Sequence, residues 1–288
     1  MESEVTLMAI RIVADSASDI PQEQAREWNI TVLPLTIRFG EEEFLDGVTL
    51  SHDEFFYRLE NNKEFPKTSQ ITPFTYGKVF KEAVEVGDEV LCFTLSSGVS
   101  GSYASACMAA EEAGGKVFVI DTRQFCISEY ILVQRAVQLR DAGLSFEELL
   151  EKIKEELPQV HVLAAFDTLE YLRRGGRLSA VTAFAGGMLS IKPVLTIEEG
   201  VVHILGKARG IKKACDSLLE EAKKIGVIDG SRPICFGYTG NSQESIMAFM
   251  ERFKDAAKLT MNTPLVRVGA TIGAYAGPGA VAVAFFAR

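Results

Sequence analysis

The chain has 288 residues, 47% of them hydrophobic and 24% charged, with a formal net charge of −9. This supplies ample material for a core and suggests roughly two domains at ~150 residues each. The acidic balance, with no run of Lys and Arg able to track a phosphate backbone, argues against nucleic acid as a partner. No stretch reaches the ~18 uninterrupted apolar residues of a membrane span.

Ala183 to Leu195 is apolar, but Gly186, Gly187, Lys192 and Pro193 break it. Met1 to Met8 carries Glu2 and Glu4 and lacks the basic start of a signal peptide. The five cysteines (Cys92, Cys107, Cys126, Cys215, Cys235) are scattered, show no CxxC spacing, and read mostly as small core residues of a reducing compartment. A cytoplasmic protein is expected.

Ile10 to Ala14 predicts a strand, followed by a polar loop from Asp15 and a helix opened by Pro21 with Asp19 as its cap. Ile30 to Phe39 reads as a second strand and Glu41 to Leu50 as a hairpin arm. Ser51 starts a helix with Glu54 completing a capping box; Phe55, Phe56 and Leu59 form its apolar face. A loop around Thr68 precedes a helix near Phe74 to Val84. Val90 to Leu95 is a buried strand that runs through Ser96-Ser97-Gly98 into a helix at Ser102 to Ala113. Lys116 to Ile120 is another strand, and helices follow near Ser128 to Arg140 and Ser145 to Glu156. This alternation predicts a parallel α/β sheet.

The pattern changes after Pro158. Val160 to Phe166 is a strand that leads into Asp167 to Leu172, a short helix. Pro193 to Ile197 and Val201 to Leu205 flank Glu198-Glu199-Gly200 as a β-hairpin. Helices at Ile211 to Ile225 and Ser242 to Phe253 alternate with strands at Pro233 to Tyr238 and Pro264 to Val268, and the chain ends on an apolar strand to Phe286. The expected division is an α/β domain over 1–158 and an α+β domain over 159–288.

Two segments combine hydroxyls with helix starts: Thr68-Ser69-Gln70 and Leu95-Ser96-Ser97-Gly98 with Ser100-Gly101. Hydroxyls beside the free N–H groups and positive end of a helix suit a small anion; Ser and Gly also serve such turns simply as caps. Enzyme motifs fail one by one. Gly98-Val99-Ser100-Gly101 has its glycine one residue too early for a nucleophile elbow, and no phosphate-binding loop or dinucleotide fingerprint occurs. His52, His161 and His203 lack metal-ligand spacing; His52 reads as an exposed first-turn residue and the other two as strand residues. Arg173, Arg174 and Arg177 read as a solvated loop.

The ordered set formed by Asp15-Ser16 with Asp19-Ile20-Pro21, Thr68-Ser69-Gln70, Leu95-Ser96-Ser97-Gly98, Asp167 to Leu172 with Gly175-Gly176-Arg177, and Gly277-Pro278-Gly279-Ala280 resembles the DegV family of bacterial fatty-acid-binding proteins, from about Ile10 to the C-terminus. The resemblance implies two α/β domains with one long-chain fatty acid between them, no cofactor, no metal and no intrinsic catalysis. In some members, the fatty-acid kinase binding proteins, the bound carboxylate is presented to a separate kinase. It places the carboxylate at Thr68, Ser69, Ser96 and Ser97. Head-group or partner contacts fall to Arg209, Tyr275 and Gly277, with Tyr275 standing where many members carry His. An acyl tunnel would draw on Phe166, Phe184, Met188, Leu189, Ile191 and Ile272. The competing readings are a serine-dependent acyl hydrolase or small phosphoryl-transfer enzyme, and a regulator that senses lipid.

Overall fold

The computed structural model describes residues 8–62, 64–178, 190–259 and 263–288. The chain opens with β1 (Ile10–Asp15), one turn of 3-10 helix, and α1 (Gln22–Glu27) entered through Pro21. Asp19 does not cap α1: its backbone is left-handed, and its carboxylate accepts the N–H of Gly269 at 2.7 Å. The run expected as one strand over Ile30 to Phe39 splits into β2 (Thr31–Leu33) and β3 (Thr36–Phe39), which join different sheets. Pro34 lies between them and has no N–H to give a ladder.

β4 (Glu42–Leu45) returns antiparallel on β3, and α2 (His52–Asn61) follows. Ser51 Oγ accepts the Glu54 N–H at 3.2 Å, but only half the expected box forms because the Glu54 carboxylate pairs with Arg58. His52 is half-buried rather than exposed, and burial lowers its pKa. The segment expected as a loop at Thr68 is a strand, β5 (Lys67–Ser69), antiparallel to β3 with Thr68 opposite Ile37. These three strands form a small sheet of order β4-β3-β5.

Next come α3 (Pro73–Glu85), β6 (Glu89–Thr94), α4 (Ser102–Ala113), β7 (Val117–Asp121), α5 (Ile127–Asp141) and α6 (Phe146–Glu156). Parallel pairing in the order β2-β1-β6-β7 makes the expected parallel sheet. Its inner strand β6 is buried at every position, as a strand covered on both faces must be. Ser145 and Glu148 complete a full capping box on α6.

The remainder is β8 (Val160–Ala165), α7 (Glu170–Arg174), β9 (Ile191–Glu198), β10 (Val201–Arg209), α8 (Ile211–Ile225), β11 (Cys235–Tyr238), α9 (Glu244–Ala257), β12 (Leu265–Arg267), α10 (Ala270–Ala276) and β13 (Val281–Phe286). Its sheet has the order β10-β9-β8-β13-β11-β12, antiparallel except for β11 with β12. The β9–β10 turn passes through Glu199 and Gly200 at φ 49° and 82°, the left-handed pair that a tight hairpin needs.

The hydrophobic core crosses between these sheets. One cluster joins Ile12 and Leu91 of the parallel sheet, Ile127, Ile131 and Leu132 of α5, and Val162, Ala282 and Ala284 of the six-stranded sheet. A second cluster fills the opposite face of the larger sheet beneath α8 and α9. A third packs Ile37, Phe39, Phe55 and Phe56 of the small-sheet arm on Ala270 and Ala274. Thus α10 is held against the arm and against α7.

Candidate functional site

A cavity of about 360 Å³ opens where the three sheets approach one another. Its polar wall is built from four places: Thr68, Ser69 and Gln70 at the end of β5; Ser100 and Gly101 just before α4; Arg177 after α7; and Thr271 and Tyr275 on α10. Leu35, Val99, Phe125, Phe166, Leu172 and Ile272 are among its apolar residues. A narrower apolar chamber of about 60 Å³ shares Phe125, Phe166, Val202, Ile272 and Ala276 with it and runs over the six-stranded sheet. The pair therefore has a polar end and a hydrocarbon end.

Several interactions set this wall. Tyr275 Oη lies 2.5 Å from Thr68 Oγ1, linking α10 to the small sheet. The Arg177 guanidinium sits 5.1 Å from the centroid of the Tyr275 ring and donates to the carbonyl oxygens of Gly175 (2.9 Å) and Val99 (3.3 Å). It brings a positive charge to the cavity that no carboxylate among the described residues pairs with. The Thr271 hydroxyl is buried, lines the cavity and has no hydrogen-bond partner among the described residues. Gln70 donates from Nε2 to Ser105 Oγ at 2.8 Å. Cation, hydroxyls and the N-terminal end of α4 together suit an anion.

Buried carboxylates hold α10 in place. Asp46 accepts the N–H groups of Ala270 (2.9 Å) and Thr271 (3.1 Å), while Asp19 accepts that of Gly269. Asp15 accepts from Leu95 N–H at 2.7 Å and from Ala17 N–H at 3.0 Å, tying β1 to the segment after β6. Burial raises the Asp15 carboxyl to about 7 and the Asp19 carboxyl to about 8. The loop beginning at Asp15 thus braces the cavity and is not part of its lining.

Of the hydroxyls singled out in the sequence, Thr68 and Ser69 line the cavity, and Ser96 and Ser97 do not. Ser96 is fully buried; its Oγ donates to the Gly200 carbonyl at 2.7 Å and accepts the Gly98 N–H at 3.1 Å. It fastens the β9–β10 turn to the segment after β6. Both the N–H and the Oγ of Ser97 bond to Asp121. Phe166 and Ile272 line both chambers, Tyr275 lines the larger, and Ile191 and Arg209 line neither. Gly277 ends α10 at φ 68°, where an added Cβ would fall 2.2 Å from the Tyr171 ring. Phe184, Met188 and Leu189 lie outside the described residues.

Sequence reasoning missed Arg177 and Thr271. The signal for Arg177 is its place in Gly175-Gly176-Arg177, a segment of the ordered set above, although on its residues alone the loop reads as solvated. Thr271 belongs to a short helix that the sequence analysis did not assign. None of the three histidines lines either chamber. Among the described residues no cluster of His, Cys, Asp and Glu could hold a metal ion, and no helix is long and apolar enough to cross a membrane.

A family model described as "Uncharacterised protein, DegV family" matches residues 9–288. A DegV domain-containing protein of Caldanaerobacter subterraneus is 34% identical over 280 residues, covering 96% of this chain and 98% of its relative. The structure is similar to that of a fatty-acid-binding DegV family protein from Thermus thermophilus, with a TM-score of 0.89, 31% identity, and coverage of 98% and 100% of the two chains. It is also similar to a stearic acid-binding protein from Eubacterium ventriosum, with a TM-score of 0.86, 30% identity, and coverage of 96% and 97%. The match spans nearly the whole chain in sequence and in fold, and the chain belongs to the DegV family.

Proposed function

We propose that this protein binds one long-chain fatty acid, with the carboxylate at the polar end of the cavity and the acyl chain in the apolar chamber. The observation that carries the reading is the joining of these two environments through shared walls. Thr68, Ser69, Tyr275, Thr271 and Arg177 would receive the carboxylate. Ser96 and Ser97 would serve through the loop they brace. The fatty acids named in the related structures support the same ligand class. Burying each methylene contributes about 0.8 kcal/mol, so the chain supplies most of the affinity and the head group sets direction.

In this reading the protein is a cytoplasmic carrier without chemistry of its own, and residues 1–158 and 159–288 each supply one part of the binding site. It presents the carboxylate to a separate fatty-acid kinase. A phenol has no cationic form, whereas an imidazole does. Comparing wild type with Tyr275→His in acyl-phosphate formation by such a kinase tests that step, with faster transfer at equal lipid affinity expected in the variant. Binding itself is tested by mass spectrometry of lipid extracted from purified protein, followed by titration of the delipidated protein with stearate. Failure to find an acyl species, together with no uptake of stearate, refutes the reading.

A further inference from the structure

The apolar chamber lies over a row of small residues that crosses three strands in register. Ala164 of β8 is paired with Ala282 of β13, and Ala282 with Gly237 of β11. The next row on the same face is Val162, Ala284 and Cys235. Side chains alternate along a strand, and this face looks toward α5: Ala282 packs in the cluster that contains α5, and a Cβ on Gly237 would meet Ile127, the first residue of α5, at 2.9 Å. Helix α5 starts just here. Ile127 closes over the Gly237 end of the row, and Ala164, Ala282 and Gly237 all line the chamber that begins at its edge.

Small side chains in register across neighbouring strands make a trough, because the sheet surface drops wherever no branched side chain stands on it. Cys126, immediately before α5, forms part of the opposite wall. The chamber holds only about 60 Å³ against about 360 Å³ for the polar part, so a single added methyl group is a large fraction of its width. Close-packed walls of sheet and helix relax only partly around an enlarged side chain.

We infer that the Ala164–Ala282–Gly237 row sets the length of acyl chain this protein holds, by fixing how far the tail advances across the sheet. The inference rests on the fatty-acid reading above. A tail that reaches the row gains burial with each added methylene, about fourfold in affinity. Beyond the end of the trough, added methylenes stay outside it and contribute nothing further.

The test is the affinity of delipidated protein for straight saturated fatty acids from eight to eighteen carbons, in wild type and in Ala164→Val and Ala282→Val made singly. In wild type the affinity climbs about fourfold per methylene and then flattens. In the variants the climb is unchanged for short chains, and the flattening comes about two carbons earlier. A plateau at the wild-type length in both variants overturns the inference, as does an equal loss at every length. Wild type that binds no fatty acid of any length overturns the fatty-acid reading itself, a separate outcome. If a valine variant fails to fold, as its thermal unfolding profile would show, Gly237→Ala on the same row takes its place, since the atoms nearest its added methyl are side-chain methyls of Ile127 and Val268 and not backbone.

Discussion

Arg177 brings a positive charge to a wall otherwise made of hydroxyls, an amide and hydrocarbon. A hydrogen bond to a charged group is worth about 1.5–3 kcal/mol. Arg177→Gln should therefore weaken fatty-acid binding roughly 10- to 150-fold. Its effect on the alcohol of the same chain length should be small, because no carboxylate is lost. Equal losses for acid and alcohol would show that Arg177 supports the cavity by packing. Ser96 gives the opposite signature. Ser96→Ala removes the bond to Gly200 and should lower stability by about 1–2 kcal/mol in the ligand-free protein, measured by urea unfolding. The sequence made these hydroxyls equivalent, since Ser96 and Thr68 both stand beside a helix start. What separates them is a hairpin turn more than a hundred residues away, and local spacing carries no information about it.

The carboxylates around α10 act at the level of the element. Asp19 and Asp46 receive its first N–H groups, so the helix that carries Thr271 and Tyr275 is positioned by residues from the opposite end of the chain. Burial raises Asp19 to about 8 and Asp15 to about 7. In the unfolded chain such groups release their protons near 4. The folded state then binds more protons than the unfolded state between these values, and stability falls as pH rises from about 4 toward 7–8, by up to about 1.4 kcal/mol per pH unit for each group. Asp19→Asn should flatten this slope by about one group's share in urea titrations across that range. An unchanged slope would mean that Asp19 is ionised throughout. Elements with a strong pattern were legible: β6, α4, α8 and the β9–β10 hairpin stand where the sequence put them. The break at Pro34 and helix α10 were not. The split at Pro34 shows only once β2 and β3 pair with different neighbours. Helix α10 has two of its seven positions taken by Ala270 and Ala274, small residues that pack on the phenylalanines of the arm, and so it lacks the large apolar stripe that marks a helix.

On the scale of the whole molecule, the change of sheet near residue 158 does not coincide with a division of the core. Helix α5 precedes that point in sequence, yet its buried side chains share one cluster with Ile12 and Leu91 on one side and with Val162, Ala282 and Ala284 on the other. The sequence showed a change of pattern there and predicted two domains. It could not show that a helix of the first part serves both sheets, because the faces of α5 are assigned by contacts far apart in the chain. A domain that unfolded by itself would expose its side of α5 and leave the other part with half a core, at a cost of roughly 25 cal/mol for each Å² of apolar surface. The ligand-free protein should therefore unfold in a single transition. Trp28, the single tryptophan, makes this measurable: it stacks edge-on against Tyr130 of α5, with ring centroids 5.2 Å apart, and reports the side of the parallel sheet. Far-ultraviolet circular dichroism reports helices and strands of both parts. The two signals should follow one curve in urea, with the same midpoint and slope. Tryptophan fluorescence that changes at a clearly different urea concentration from the dichroism would show that the two parts unfold separately and that the cluster around α5 does not bind them into one cooperative unit.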